Sequence, residues 1–89
     1  MKSRTTPEFR ELLQNLPERV RRQARLAYQL FSKNSSLPGL RFKRILREPP
    51  TFSARVGLNY RVVGALDGDA VIWYWIGTHA EYDKLIDSL

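Results

Sequence analysis

The feature that most constrains this 89-residue chain is a change in the spacing of its apolar residues. Phe9, Leu12, Leu13 and Leu16 recur at helical intervals and form one apolar stripe. After the polar segment KNSSLPGL, residues 33–40, apolar and polar residues alternate as they do along strands. A chain that begins with the helical period and continues with a period of two is expected to pack helices against one sheet.

Two helices are predicted before the strands. Pro7 suits the first position of a helix, and Thr5 or Thr6 can cap that helix. The second helix is predicted from Pro17 to about Lys33, so only one or two residues separate it from the first. Two helices with such a short connection form a helical hairpin.

Three or four antiparallel strands are predicted to follow. In FSARV, residues 52–56, the apolar side chains lie on one face and Ser53 and Arg55 lie on the other. The DGD segment, residues 67–69, separates two further apolar runs and is a strong hairpin signal. The last strand, residues 71–76, is apolar on both faces, which is typical of a central strand covered on both sides.

A short helix is predicted to end the chain. It begins at about His79, Thr78 and Glu81 have the spacing of a capping box, and Leu85 and Leu89 are expected to face inward. The predicted fold class is therefore α+β, with an N-terminal helical hairpin packed on a curved antiparallel sheet of three to four strands and a short C-terminal helix. The 89 residues are expected to form a single domain, because a chain of this length supports one core.

The charge of the chain favours an anionic partner. Its net charge is +6 and its pI is about 10.2, so nucleic acid, an anionic membrane and an acidic protein are the candidates. Six basic residues and one acid give residues 41–61 a net charge of +5. Five acids and one lysine give residues 67–89 a net charge of −4. The middle of the chain is therefore expected to bind the anion.

The composition argues against several classes of protein. No apolar run approaches the ~20 residues of a membrane span, and the N-terminus lacks the apolar core of a secretory signal. Cysteine is absent, which excludes disulfides and thiolate metal sites, and one histidine cannot form a zinc site without several carboxylates. We therefore expect a cytoplasmic protein with no metal ion, no other cofactor and no membrane contact.

The single histidine is a candidate reactive group. His79 is predicted at the first position of the last helix, with Tyr82 in the same exposed turn. The unpaired N–H groups and positive dipole end of a helix start favour phosphate and the neutral form of histidine. These residues suit a site that handles phosphate, although a lone histidine at a helix start is more often a surface residue.

Basic residues on the predicted strands extend this candidate site. Arg55 and Arg61 flank a tight connection and could present their guanidinium groups on one face of the sheet. Four further cations are candidates for contacts with RNA phosphates or with an acidic protein: Arg41, Lys43, Arg44 and Arg47.

Together these side chains match the needs of metal-free RNA cleavage. That reaction requires removal of the 2′-OH proton, charge stabilisation at phosphorus and a proton for the leaving 5′-oxygen. His79, the two arginines and Tyr82 are candidates for these roles, while Tyr82 could instead stack on a base or pack at the rim of the core. Trp73 and Trp75 are expected in the core because they lie in an apolar strand, with stacking on nucleic acid as the alternative.

The order of these segments resembles a known family. SARVGLNYRVV, residues 53–63, and WIGTHAEYD, residues 75–83, are its most telling pieces, and the similarity covers nearly the whole chain. The chain resembles the RelE/ParE toxins of bacterial type II toxin–antitoxin systems. The resemblance implies two N-terminal helices against an antiparallel sheet. It also implies a first strand, for which only MKSRTT is available, so this strand is expected to be short or missing.

The resemblance implies roles for individual residues. Arg61 falls on the phosphate-stabilising arginine of RelE-like toxins. Two basic residues of the preceding strand fall on Ser53 and Arg55, so only one of them is basic here. His79 falls on the basic residue or histidine that follows the last strand, and Tyr82 falls on the C-terminal tyrosine that acts near the nucleotide.

The resemblance also implies activities and partners. RelE-type toxins are metal-independent mRNA endonucleases that act in the ribosomal A site, whereas ParE-type toxins poison DNA gyrase. Both are held inactive by an antitoxin. We therefore expect a toxin that cleaves mRNA on the ribosome, binds a cognate antitoxin and can assemble with it into a larger complex. Gyrase inhibition, or a non-catalytic RNA- or protein-binding module of the same fold, is the alternative.

Overall fold

A five-stranded sheet with three helices forms the structure, a computed structural model that describes all 89 residues. The sheet order is β1-β5-β4-β3-β2, and all neighbours are antiparallel except β1, which runs parallel to β5. In chain order the elements are β1 (Lys2–Thr5), α1 (Pro7–Gln14), α2 (Glu18–Lys33), a 3₁₀ turn (Pro38–Leu40), β2 (Lys43–Leu46), β3 (Thr51–Val56), β4 (Tyr60–Asp67), β5 (Ala70–Thr78) and α3 (His79–Ser88). The predicted α+β class is confirmed.

The strand β1 makes the sheet one strand larger than predicted. Its sequence, KSRT, is polar throughout, so it carries no alternating apolar signal. Backbone pairing with β5 holds it in place, and the Thr6 N–H continues the ladder by donating to the Trp73 carbonyl at 3.0 Å. From α2 the Tyr28 hydroxyl donates to the Ser3 carbonyl at 2.7 Å.

The two N-terminal helices form the predicted hairpin. Thr6 caps α1, because its Oγ1 accepts a hydrogen bond of 3.0 Å from the Phe9 N–H, and Pro7 occupies the first helical position. Pro17 precedes α2 without a side-chain cap. The hairpin buries Val20 and Phe31 of α2 and Phe9 of α1.

The hairpin and one face of the sheet form the hydrophobic core. The Phe31 ring meets the Trp73 ring edge to face at 5.4 Å between centroids. Burying a large apolar side chain contributes about 1.5–3 kcal/mol, so this cluster is the main source of stability. It consists of Phe9, Ala24, Phe31, Leu40, Ala54, Val56, Val62, Val71, Trp73 and Ile76.

A register shift in β5 sends the two tryptophans to opposite faces. Val63 of β4 pairs with Trp75 and Gly64 pairs with Trp73, so Tyr74 has no partner on β4. Trp73 therefore faces the hairpin, whereas Trp75 faces the other side of the sheet. As predicted, β5 is a central strand, with β1 and β4 on its two sides.

The opposite face of the sheet is covered in part by α3. Tyr82 of α3 is buried, and its hydroxyl donates to Ser53 Oγ at 3.0 Å. Leu85 is half-buried, as expected. The prediction that Leu89 faces inward is wrong: it lies beyond the end of α3 and is 50% exposed. None of the three helices has the length and apolar character needed to cross a membrane.

Close contact between the strands predicts that Gly64 tolerates no side chain. An alanine Cβ there would lie 2.8 Å from Trp73 Cε3 and 2.9 Å from the Ile72 carbonyl oxygen. We expect Gly64→Ala to lower the free energy of unfolding by about 1–3 kcal/mol in urea denaturation. Gly39→Ala is the matched control, because no atom lies within 4 Å of its Cβ. An equal effect of both changes would contradict this packing.

Candidate functional site

Two arginines lie directly opposite each other on the face that α3 only partly covers. The connection of residues 57–59, with Gly57 at a φ of +61°, pairs Arg55 of β3 with Arg61 of β4. Cross-strand partners of this kind share a face and have Cβ atoms about 4.5–5.5 Å apart. Lys43 shares the face, because it pairs with Ser53, two residues from Arg55.

Both guanidinium groups are held by backbone carbonyls. Arg61 Nη1 donates to the Tyr60 carbonyl at 3.0 Å, and Arg55 Nε donates to the Gly39 carbonyl at 3.2 Å. Burial lowers the pKa of Arg61, and the positive charges of Arg55 and then Arg41 lower it further. Like charges placed opposite each other on a sheet are destabilising, so a bound anion would relieve a real electrostatic cost.

No carboxylate forms an ion pair with this cluster, and the charge of Asp83 only partly opposes the lowering of the pKa of Arg61. The three ion pairs of the structure join Lys2 to Asp69, Arg22 to Glu18 and His79 to Asp83. None of them includes Arg41, Lys43, Arg55 or Arg61, which we call the cationic cluster. Nor do any three His, Asp or Glu side chains lie close enough together to hold a metal ion. The site is therefore arranged to attract an anion.

The start of α3 lies at the same end of the sheet. The predicted capping box is confirmed: Thr78 Oγ1 accepts from the Glu81 N–H at 3.2 Å, and Glu81 Oε1 accepts from the Thr78 N–H at 2.7 Å. The His79 N–H donates to the Asn59 carbonyl at 2.8 Å. Since Asn59 belongs to the connection between Arg55 and Arg61, one loop positions both the arginines and the histidine.

The imidazole of His79 is exposed and has one carboxylate partner. Its Nδ1 lies 3.2 Å from Asp83 Oδ2, one turn further along α3. This contact orients the ring and leaves Nε2 free for proton transfer. Asp83 is a site residue that was not predicted from the sequence, although its spacing of four residues from His79 is the signal of such a pair on a helix.

Tyr82 is more buried than the sequence predicts. It is 5% exposed, so the expectation of an exposed turn is wrong for this residue, and its ring offers no open face to a base in this conformation. Its hydroxyl is engaged by Ser53. Burial is the main cause of the lowered pKa of Arg61, and the charge of Tyr82 raises that pKa. Its visible role is to hold α3 on the sheet.

The four residues predicted to contact RNA do not all lie on one face of the sheet. Arg44 pairs with Phe52 and lies on the face opposite Lys43; its guanidinium carbon is 5.3 Å from the centre of the Phe52 ring. Arg47 is exposed in the turn after β2. The sequence grouped these residues by proximity along the chain, because the register of β2 could not be read from it. Whether any of them binds RNA stays a prediction.

A comparison with protein families identifies the family of this chain. The ParE-like toxin domain matches residues 18–84, which is more than half of the chain. The chain belongs to this toxin family. The match includes both arginines of the pair, His79 and Tyr82. It also confirms the resemblance to the RelE/ParE toxins drawn from the sequence.

Solved structures give the same fold. The RelBE2 toxin–antitoxin complex from Mycobacterium tuberculosis is 28% identical, with a TM-score of 0.65 over 88% of this toxin and 96% of that chain. The RelB–RelE antitoxin–toxin complex from Methanococcus jannaschii is 22% identical, with a TM-score of 0.67 over 91% and 95%.

A copper-bound mutant toxin from Helicobacter pylori is 18% identical, with a TM-score of 0.59 over 91% of this toxin and 97% of that chain. The last two structures show the fold alone. No curated protein has a significant sequence match to this toxin.

The Tyr82–Ser53 hydrogen bond can be tested by removing its donor. We expect Tyr82→Phe to lower the free energy of unfolding by about 1–2 kcal/mol in urea denaturation, because Ser53 Oγ is then buried without a partner. Adding Ser53→Ala to this variant should recover part of the loss, because the unpaired hydroxyl is removed. Parental stability of Tyr82→Phe would show that the bond contributes nothing.

The capping box predicts a pH-dependent contribution from Glu81. Hydrogen bonds from the Thr78 backbone and then its side chain lower the pKa of Glu81 below its ordinary value of 4.5. The ionised carboxylate therefore stabilises the fold at pH values above 4.5. This contribution disappears as the pH falls through the lowered pKa of the folded state.

We expect Glu81→Gln to be less stable than the parent at pH 7 by a few tenths to about 1 kcal/mol, because the amide keeps the hydrogen bonds but loses the charge. The difference should vanish in denaturation curves measured at pH values below the lowered pKa of Glu81. Asp87→Asn, at the other end of α3, is the control and should not destabilise. A difference for Glu81→Gln that is independent of pH would contradict the assignment.

Proposed function

We propose that this toxin is a metal-independent, ribosome-dependent mRNA endonuclease that arrests translation in the cytoplasm. The observation that carries the proposal is the Arg55–Arg61 pair, which forms no ion pair and lies on the partly covered face of the sheet, beside the helix start that bears His79. Two arginines directly opposite each other destabilise a sheet, so the stability of the fold does not explain this pair. A phosphate diester supplies the missing negative charge.

The proposed reaction uses the ribose of the substrate as nucleophile. The 2′-oxygen loses its proton and attacks phosphorus, the bond from phosphorus to the 5′-oxygen breaks, and the 5′-oxygen takes up a proton. His79 Nε2 transfers a proton at one of these two oxygens. Arg61, with Arg55 beside it, stabilises the charge that develops on the phosphorane. Lys43 and Arg41 hold the neighbouring phosphates.

Dependence on the ribosome follows from the charge around the helix start. Glu81 and Asp83 lie in the first turns of α3, and the C-terminal segment of the chain has a net charge of −4. These acids weaken attraction for free RNA near His79. We therefore infer that the ribosome delivers and orders the mRNA strand at the site.

A cognate antitoxin is the second proposed partner. Two of the solved relatives are toxin–antitoxin complexes. In this toxin an apolar groove of about 230 Å³ lies between the hairpin and the sheet, lined by Phe9, Leu13 and Ala27, with Arg10 and Arg25 also lining it. The helix α2 carries five basic residues and one acid. An amphipathic, acidic segment of the antitoxin matches both the apolar floor and the charge.

The match to the ParE-like domain favours a second candidate function, inhibition of DNA gyrase. The burial of Tyr82 also removes one expected reacting group from the open surface. Induction in cells separates the candidates: cleavage of mRNA at codon boundaries supports the endonuclease, and DNA damage with replication arrest supports the gyrase inhibitor. Steep salt dependence of RNA binding without cleavage, even on ribosomes, would indicate a binding module.

Substitution of the reacting groups tests the endonuclease. We expect Arg61→Ala and His79→Ala each to lower ribosome-dependent mRNA cleavage by about 10²-fold or more and to relieve growth arrest. Arg61→Ala should not destabilise the fold by more than about 1 kcal/mol, because it also removes the like-charge contact with Arg55. Cleavage is measured by mapping mRNA ends and stability by urea denaturation.

Arg19→Ala is the matched control, because Arg19 is exposed on α2 and makes no ion pair. It should remain as toxic as the parent. If Arg61→Ala and His79→Ala also remain fully toxic, the proposed catalytic assignment is wrong.

The antitoxin proposal is tested by reversing one charge of the groove. We expect Arg25→Glu to weaken binding of the protein encoded by the adjacent small gene by tenfold or more, because like charges then meet. Arg19→Glu makes the same change of net charge on the same helix outside the groove, and should weaken binding much less. Equal effects in calorimetric titrations would show that the groove is not the binding surface.

A further inference from the structure

We propose that Trp75 is the platform on which a nucleobase of the bound RNA stacks. The inference rests on the proposed endonuclease function, and adds to it the residue that holds the base next to the cleaved phosphate. The sequence predicts Trp75 in the core, with stacking on nucleic acid as the alternative, and makes Tyr82 another candidate for stacking on a base. The structure distinguishes these residues by burial and by face.

The register of the sheet places Trp75 beside the arginine pair. Trp75 pairs with Val63 of β4, and Gly77, two residues further along β5, pairs with Arg61. Residues two apart on a strand share a face, so Trp75 faces the same side as Arg61. Two residues span roughly 6.6 Å along a strand, a step that one ribose can bridge between a phosphate and its base.

Burial separates Trp75 from the other aromatic candidates. Trp73 is 4% exposed and packs edge to face against Phe31 in the core. Tyr82 is 5% exposed, and Ser53 engages its hydroxyl. Trp75 is only half-buried, and its side chain projects from the face of the cationic cluster.

A glycine provides the space in which the indole lies. If Gly77 carried a Cβ, that atom would be 2.5 Å from Trp75 Cζ2 and 2.6 Å from Cη2. The six-membered ring of Trp75 therefore lies against the backbone of the residue that pairs with Arg61. Because the ring is already fixed, stacking a base on it costs little side-chain entropy.

The chemistry of the site suits a nucleotide rather than a free phosphate. The cationic cluster binds the backbone, and the indole offers an aromatic surface that stacks on any base. Stacking on an aromatic side chain contributes about 1–3 kcal/mol per base, which is roughly a 5- to 150-fold change in affinity.

Two-dimensional ¹H–¹⁵N NMR of the purified toxin tests the platform without cleavage. The chain has two tryptophans and therefore two indole N–H signals, which Trp75→Phe assigns. The probe is a single-stranded RNA tetranucleotide with 2′-O-methyl riboses, which cannot be cleaved by attack of the 2′-oxygen. We expect it to shift the Trp75 indole signal and leave that of Trp73 in place. An abasic oligonucleotide of the same length should shift backbone signals near Arg61 but not the Trp75 indole.

Affinity provides the second readout. Trp75→Ala should weaken binding of the base-containing probe at least fivefold and leave the abasic probe unaffected. Gly77→Ala should have a similar effect, because its Cβ displaces the ring, whereas Gly39→Ala should bind as the parent does.

The outcomes separate the two proposals. Shifts near Arg61 without any shift of the Trp75 indole, or equal weakening of both probes by Trp75→Ala, would overturn the platform and leave the endonuclease standing. Loss of cleavage in Arg61→Ala with unchanged indole shifts would support both. If the base-containing probe perturbs no signal at any concentration, the platform fails, whereas the endonuclease, which receives its RNA on the ribosome, still stands.

Discussion

The pairing of β3 with β4 is the constraint on which both faces of this toxin depend. In the observed register Ala54 lies opposite Val62 toward the hairpin, and Arg55 lies opposite Arg61 on the other side. A shift by one residue would exchange the faces, burying the guanidinium groups beneath the helices and exposing the apolar residues. The short connection that begins at Gly57 fixes this register. The register that buries the apolar core therefore also places the arginine pair on the opposite face.

The same connection couples the site to the last helix. Its residue Asn59 accepts a hydrogen bond from the His79 N–H, so the histidine and the arginine pair cannot move independently. Tyr82 adds a second attachment through Ser53 on β3. The hydrogen bonds of Asn59 and Tyr82, which stabilise the fold, therefore also hold the arginine pair and His79 in place. Membership of a toxin family and the similarity to a solved toxin–antitoxin complex agree with a surface that binds a partner protein.

Strong local signals allowed most of the fold to be predicted from the sequence. The cap at Thr6, the capping box of α3 and the hairpin after β4 all depend on residues close together in the chain. The strand β1 carries no such signal, because its polar residues are held by backbone pairing to a strand nearly 70 positions away. The separation of Arg44 from Lys43 and the burial of Tyr82 also escaped prediction, since each depends on the position of one strand or helix over another.

The parallel pairing of β1 with β5 has a consequence for synthesis. It joins residues 2–5 to residues 70–73, so the sheet cannot be completed until nearly the entire chain has been made. His79 and its carboxylate partner come later still, within the last eleven residues. A nascent chain still emerging from the exit tunnel therefore lacks both the finished scaffold and its imidazole. The proposed endonuclease would therefore be inactive towards the ribosome that is producing it.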